Sequence, residues 1–323
     1  MNTHDKTQRR NRFNPQSTGK RVSLKPRDMR WLEALRDHGP LPSHYLHAFT
    51  EATHRSAKAA RMRLTDLASE TNTPHGGVYL TRPAAQRSGE NVLNRSLVYD
   101  LSKAGWKALD VPKREFCRPT GPFPHQLMVS CVTASIELSC LNSSSMRYIP
   151  GWQILARVGA TLGVETEIRM SPKGKAERHR LVPDQLFAIK FIKGDQKSYL
   201  AFIVECDRGT EPVISAGNAR KSYLRNYLQY RKFVGAAQYK EEYGLKASCL
   251  VLNVMNSPGR QKRYMDLIHQ QSPSGNSYML FQTIDNFGAF FQPPPIMSAL
   301  VDQEWVRVKK TPFILSKAQR VFP

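Results

Sequence analysis

Hydrophobic positions follow two patterns along the chain. In the first third they recur at three- and four-residue spacing, whereas the second half gathers them into short continuous runs. Residues 24–38 read as a helix: Met29, Leu32 and Leu35 fall on one face, Pro26 and Asp28 mark the start, and Gly39-Pro40 stops it. A short helix is expected over 43–49. A third follows over 52–70, with Thr53 as its cap and Ala57, Ala60, Leu64 and Leu67 as its apolar stripe. Arg55, Lys58 and Arg61 fall on another face of that helix, with Arg63 nearby. Two strands separated by a polar loop come next, over 78–82 and 96–101, and a short helix starts near Ser102. Three helices and a hairpin form the order of a winged helix-turn-helix, whose third helix is the one that meets DNA.

In the second half, VPDQLFAIKF (182–191), a polar break at 192–198 and YLAFIVECDRGTE (199–211) read as two strands. Around them the pattern predicts a helix over 125–141, strands over 152–155 and 163–170, and a basic loop over 171–180. A long helix over 218–234, a strand over 247–253, a helix over 263–270 and a strand over 278–284 follow. The Pro-rich end reads as irregular, with one short strand near 305–308. The organisation expected is a basic flexible tail (1–22), a winged helix-turn-helix (23–112), a Pro-rich basic linker (113–124) and a second domain (125–323) with an irregular C-terminal extension. The fold class is α+β and α/β, with a central mixed sheet in the second domain.

Charge sharpens the functional reading. The chain has 323 residues, a formal net charge of +22 and a pI near 10.0. That balance exceeds what solubility needs and points to a polyanionic partner, which the winged-helix order makes DNA. Hydrophobic residues make up 40% of the chain, enough for packed cores, so a disordered basic protein is excluded. No apolar run is long enough to span a membrane, and the polar first 21 residues lack the apolar core of a signal peptide. Cys117, Cys131, Cys140, Cys206 and Cys249 form no CxxC pair, which argues against a zinc site or disulfide frame and for reduced thiols in a cytoplasm.

The two long strands carry the candidate chemistry. Pro183-Asp184 opens the first, and Glu205 and Asp207 flank Cys206 at the end of the second. Acids in such apolar runs need partners. Acidic residues meeting across a hairpin suit Mg²⁺ or Mn²⁺. The competing reading is an ion-pair cluster, with Arg208 on Glu205 or Asp207 and Lys221 on Glu211. Tyr223, Tyr227 and Tyr230 recur at i, i+4 and i+7, the spacing of core packing. The loop 173–180 and the segment 260–263 are further candidate phosphate contacts.

Taken together, VPD, FIVECDRGTEP, Lys221 and YLRNYLQYRKF resemble the replication-relaxation family of plasmid and mobile-element proteins, over roughly residues 24–240. Members pair a winged helix with a domain similar to the PD-(D/E)xK nucleases. The family's Glu-x-Asp-Arg-Gly-Thr string falls on 205–210, its Pro-Asp on Pro183-Asp184, its helix-opening His on His125, and its Lys and Tyr on Lys221 and Tyr227. The resemblance implies Mg²⁺-dependent phosphodiester hydrolysis, with the ion on Asp184, Glu205, the Cys206 carbonyl and Glu137, and with Lys221 or Asp207 positioning the attacking water. The nuclease pattern has a lysine where this chain has Asp207. Two functions stay open: a DNA-nicking enzyme, or a catalytically inactive DNA-binding accessory factor for plasmid replication, mobilisation or regulation. The latter would act as a homodimer or with a replication or mobilisation partner.

Overall fold

The structure is a computed structural model that describes residues 15–87, 96–111, 118–171, 173–209, 212, 222–284 and 293–320. The chain divides into two compact units, Met1–Ala134 with Ala289–Ile296, and Ser135–Gly288 with Met297–Pro323.

The first unit begins with α1 (Pro26–His38), where Pro26 sets the first turn and the Asp28 carboxylate accepts from the Lys25 N–H at 2.9 Å. The two-residue strand β1 (Leu41–Pro42) leads into α2 (Ser43–Ala48), then α3 (Ala57–Ser69). The cap of α3 is Ser56, which accepts from the Ala59 N–H at 3.2 Å; the expected Thr53 instead bonds the Thr50 carbonyl. Ala57 is exposed, so the buried stripe of α3 is Ala60, Leu64 and Leu67. Next come β2 (Leu80–Thr81), β3 (Val98–Leu101) and α4 (Lys103–Ala108), capped by Ser102. β3 is the middle strand of a three-stranded antiparallel sheet, with Leu41 facing Tyr99 and Leu80 facing Leu101. Pro42 sits on an edge strand, the place where a missing N–H costs little. Trp31, Leu35, Tyr45, Leu46, Leu64, Leu67 and Tyr79 fill the core.

Part of the expected N-terminal tail is packed. Ser17 and Thr18 donate to Glu70, Lys20 pairs with Asp66 at 2.7 Å, and Val22 is buried. Arg9, Arg10 and Arg12 lie outside the described residues. Of the expected linker, 112–117 lies outside as well, while Arg118 pairs with Asp100. The helix α5 (Phe123–Leu141) starts two residues before His125, and the division between units falls inside it, at Ala134.

The second unit follows with β4 (Met146–Pro150) and α6 (Gly151–Ala156). The run 152–155, expected as a strand, is therefore helical: Pro150 ends the strand and starts the helix. β5 (Val164–Ile168) pairs antiparallel with β6 (Glu177–Leu181), so the second half of the expected basic loop is a strand. β7 (Gln185–Lys193) and β8 (Gln196–Asp207) form a hairpin turning at Gly194-Asp195, where Gly194 takes a φ of 57°. The expected polar break is thus mostly strand.

α7 (Tyr223–Tyr230) is capped by Ser222 and continues as one π-helical turn, Arg231–Gly235. α8 (Tyr239–Glu242), β9 (Ser248–Met255), α9 (Pro258–Gln271) and β10 (Met279–Thr283) follow, so that helices carry the chain between the parallel strands β8, β9 and β10. The chain beyond 292 is more regular than expected: α10 (Ala299–Asp302), β11 (Trp305–Arg307), β12 (Lys310–Phe313) and a 3₁₀ turn, Leu315–Arg320. The seven strands lie in the order β12-β11-β10-β9-β8-β7-β4, parallel from β8 to β10 and antiparallel elsewhere. The molecule is an α+β protein built on this mixed sheet. β8 lies inside the sheet and is buried from Leu200 to Cys206, which explains its unbroken apolar run.

No helix among the described residues is long and apolar enough to cross a membrane. Cys131, Cys140, Cys206 and Cys249 are buried and form no disulfide, and Cys117 lies outside the described residues. Burial pushes the Cys140 thiol up to about 12, a value at which it is unreactive at neutral pH.

Gly151 opens α6 directly against β7; a Cβ there would lie 2.2 Å from the Leu186 carbonyl oxygen. Gly151→Ala is expected to cost about 1–3 kcal/mol by overpacking against backbone. Gly259→Ala, whose Cβ would meet only Ser257 Oγ at 3.8 Å, should leave stability within ~0.5 kcal/mol or raise it. Urea unfolding of both variants checks this; equal midpoints would overturn the close approach.

Candidate functional site

The acidic corner lies where β8 ends. Asp184 immediately precedes β7, whose first pair is Gln185 with Val204, and so stands beside the strand end that carries Glu205. Asp184 is half-buried and its Oδ2 accepts from the Cys206 N–H at 2.8 Å. Glu205 is buried at 7% exposure. Its Oε1 accepts a short hydrogen bond from the Tyr230 hydroxyl.

Asp207 is engaged through both carboxylate oxygens. Its Oδ1 accepts from the Gly209 N–H at 2.7 Å, and its Oδ2 from the Tyr223 hydroxyl and from Arg260 Nε at 2.9 Å. Arg260 also lies over the Tyr223 ring, 5.4 Å from its centroid, and Tyr223 stacks on Tyr264 at 4.4 Å. Tyr264 in turn donates to Asn226. Three elements therefore converge on the end of β8: α7 through its tyrosines, α9 through Arg260 and Tyr264, and the end of β9 through the Asn256 amide that donates to the Arg208 carbonyl at 2.8 Å. A cavity of about 20 Å³ lies among Glu205, Asp207, Asn226 and Asn253. It has room for a single water.

The electrostatics follow from this packing. Burial raises the Tyr230 phenol well above its ordinary value, and the Glu205 and Asp184 charges push it further. Burial likewise raises Tyr223, reinforced by its bond to Asp207. Both phenols keep their protons and serve as donors. Partial burial works against the Arg260 charge, but Asp207 outweighs it and the net shift is upward. Arg260 and Asp207 are a fixed ion pair.

The structure thus brings Asp184, Glu205, Cys206 and Asp207 to one end of the sheet. Glu137 is buried in α5, where it acts on Cys140. Lys221 and Glu211 lie outside the described residues. Among the described residues, no three His, Cys, Asp or Glu side chains converge as a metal-holding group. Mg²⁺ is commonly held by only one or two carboxylates with water completing its shell. On ligand number, Asp184 and Glu205 fit such an ion; Asp207, neutralised by Arg260, does not.

Sequence reasoning misses Arg260 as the partner of Asp207. It assigns that cation to Arg208 and gives the 260–263 segment to phosphate. The two partners stand 53 residues apart, and nothing local marks the pair. Tyr223 and Tyr230 are expected in the core, and they are buried there; the function of their hydroxyls as carboxylate donors is not foreseen by the pattern. The one legible hint is their spacing on a helix directly after an acid-ended strand.

In the first unit, Arg55, Lys58 and Arg61 are exposed at and along the start of α3. Arg63 is not part of that free face: it pairs with the fully buried Asp28 at 2.6 Å and donates to the Ser23 carbonyl.

Tyr230→Phe removes a donor from buried Glu205 and is expected to cost about 1–3 kcal/mol. Because the folded-state pKa of Tyr230 lies above its ordinary value of 10.0, its contribution is present below that pH and is lost as pH rises beyond it. Denaturant unfolding from pH 7 to 11 should show wild-type stability falling above about pH 10, with the gap to the variant closing. A constant gap would exclude this role for the phenol.

Comparison with known proteins adds one finding. No curated protein and no solved structure matched the chain. The family model described as Replication-relaxation matches residues 32–247, a span running from the middle of α1 to the residue before β9. It covers more than half of the chain, including α3 and the acidic corner, and so the chain belongs to the replication-relaxation family.

Proposed function

We propose that this protein is a DNA-binding accessory factor in the replication or relaxation of plasmid or mobile-element DNA. The observation that carries the reading is the basic run at the start of α3, with Arg55 in the loop just ahead of the helix and Lys58 and Arg61 on it. Arg55, Lys58 and Arg61 are exposed to solvent, while other cations of the same unit are paired with acids: Arg63 with buried Asp28, and Lys20 with Asp66 at the surface. The order α1, α2, α3 and the β2–β3 hairpin, with β1 joined to β3, is that of a winged helix-turn-helix. α3 is then the helix that enters the groove, and the three cations grip phosphates beside it. The net charge of +22 and the family's replication and relaxation theme support the same reading.

At the acidic corner, the bonds among Glu205, Tyr230, Asp207, Tyr223 and Arg260 support a structural role. Each of these two carboxylates has a protein donor, and one has a protein cation. A second reading keeps a specific observation in its favour: Asp184 accepts from the Cys206 N–H next to Glu205, and both carboxylates act on the same Tyr230 phenol. Bound there, Mg²⁺ would supply charge to a phosphodiester and acidify a water. The chain's own part would be to hold the ion on Asp184 and Glu205 and to place the Arg260 guanidinium, already on Asp207, beside the scissile phosphate.

Arg55→Ala with Lys58→Ala is expected to weaken binding to duplex DNA and to lower the salt slope by about 1 for each phosphate that is no longer neutralised. Fluorescence anisotropy at several salt concentrations measures both, and an unchanged slope would remove α3 from the interface. Supercoiled plasmid incubated with the protein in Mg²⁺, Mn²⁺ or chelator should be retarded in a gel without conversion to nicked or linear forms. Metal-dependent conversion that disappears in Glu205→Ala and Asp184→Ala would replace the accessory reading with the hydrolytic one.

A further inference from the structure

A second basic feature lies in the sheet-containing unit, away from the acidic corner. An open groove of about 510 Å³ forms between the π-helical turn after α7, the loop before β10 and the start of β12. Its size is that of a ligand pocket. Arg231 and Lys310, both exposed, contribute charge, and among the described residues no acid lines it. Ser274 and Ser277 add exposed hydroxyls. Tyr227 forms part of the wall, with Arg231 lying 5.7 Å from its ring centroid. Burial pushes the Tyr278 phenol up to about 12, so it remains a neutral donor at physiological pH.

The groove is built rather than incidental. The loop carrying the serines is docked on the β11–β12 turn by the Asn276 N–H to the Val308 carbonyl at 2.9 Å, and Arg307 donates to the Ser277 carbonyl at 3.2 Å. Gly275, at a φ of 92°, allows that approach, since a Cβ there would lie 2.4 Å from the Val308 oxygen. Gly235 keeps the other wall open: its Cβ would lie 3.1 Å from the Tyr278 hydroxyl. The wall is also a π-helical turn, a rare conformation that recurs at functional sites. Lys232 and Lys309, both exposed, extend the positive surface on either side in sequence.

We propose that this groove binds a phosphodiester of a DNA strand, as a second nucleic-acid contact separate from α3. Two cations without a facing acid among the described residues favour an anion. Hydroxyl and phenol donors match the several oxygens of a phosphate. The proposal rests on the DNA-binding reading given above and assigns that reading a second site.

The test uses the full chain and a fluorescein-labelled oligonucleotide, titrated at several salt concentrations. The variants are Arg231→Ala with Lys310→Ala, Gly235→Leu, which fills the groove without removing charge, and Arg55→Ala with Lys58→Ala. Thermal unfolding checks that each is folded. Both groove variants should weaken binding roughly tenfold, and the double alanine variant should also lower the salt slope by about 1–2. Millimolar inorganic phosphate or a mononucleotide should leave the oligonucleotide bound. Groove variants with wild-type affinity and slope, beside a weakened α3 variant, would overturn the second site alone. Wild-type protein that binds no oligonucleotide would overturn the DNA-binding reading as well. Displacement by a mononucleotide at equal phosphate would reassign the groove to a free nucleotide and overturn the strand contact.

Discussion

The end of β8 ties α7, α9 and the end of β9 together. That strand lies inside the seven-stranded sheet and carries Glu205 and Asp207 out of its apolar stretch. A carboxylate at that depth is costly unless donors meet it. Here the donors are Tyr230, Tyr223 and Arg260, from two different helices. Satisfying the two acids therefore fixes α7 and α9 against the end of β8. Tyr223, stacked on Tyr264 and covered by Arg260, joins the two helices into one layer.

This arrangement also explains how the protein's large positive charge divides into two populations. Some cations are structural: Arg63 neutralises Asp28, Arg118 pairs with Asp100, and Arg260 holds Asp207. The acids are few, and these three are assigned partners from this set. Other cations face solvent, on α3 in one unit and around the Arg231–Lys310 groove in the other. A surplus of exposed cations with few acids among them produces a positive field over those surfaces.

Much of the architecture is legible in the chain. The spacing of Leu32 and Leu35, the helix start at Ser102, and the runs that form β7, β8, β9 and β10 are each visible locally, because helical and strand periodicities are local properties. The failures are equally specific. The run at 152–155 is apolar and short, and such a run does not distinguish strand from helix; Pro150 and the close seat of Gly151 on Leu186 decide for helix. The polar, basic 177–181 segment is a strand because β5 is there to pair with it. Polar residues at 196–198 stay in β8 because the hairpin ladder carries them. The segment after residue 292 gains strands for the same reason, by adding to the edge beside β10.

By itself, the sequence determined most element types, the basic character, the acidic pair at 184 and 205 and the family. These depend on composition, periodicity and a contiguous motif. Tertiary structure alone decided what each charged or phenolic group touches. Arg260 reaches Asp207 from 53 residues away, Arg63 turns inward to Asp28, and Tyr223 and Tyr230 become donors to the acids ahead of them. The Arg231–Lys310 groove likewise joins residues from three separate segments. Hydrogen bonds and ion pairs depend on distances of a few ångströms, and only the packing of the sheet against its helices sets those distances.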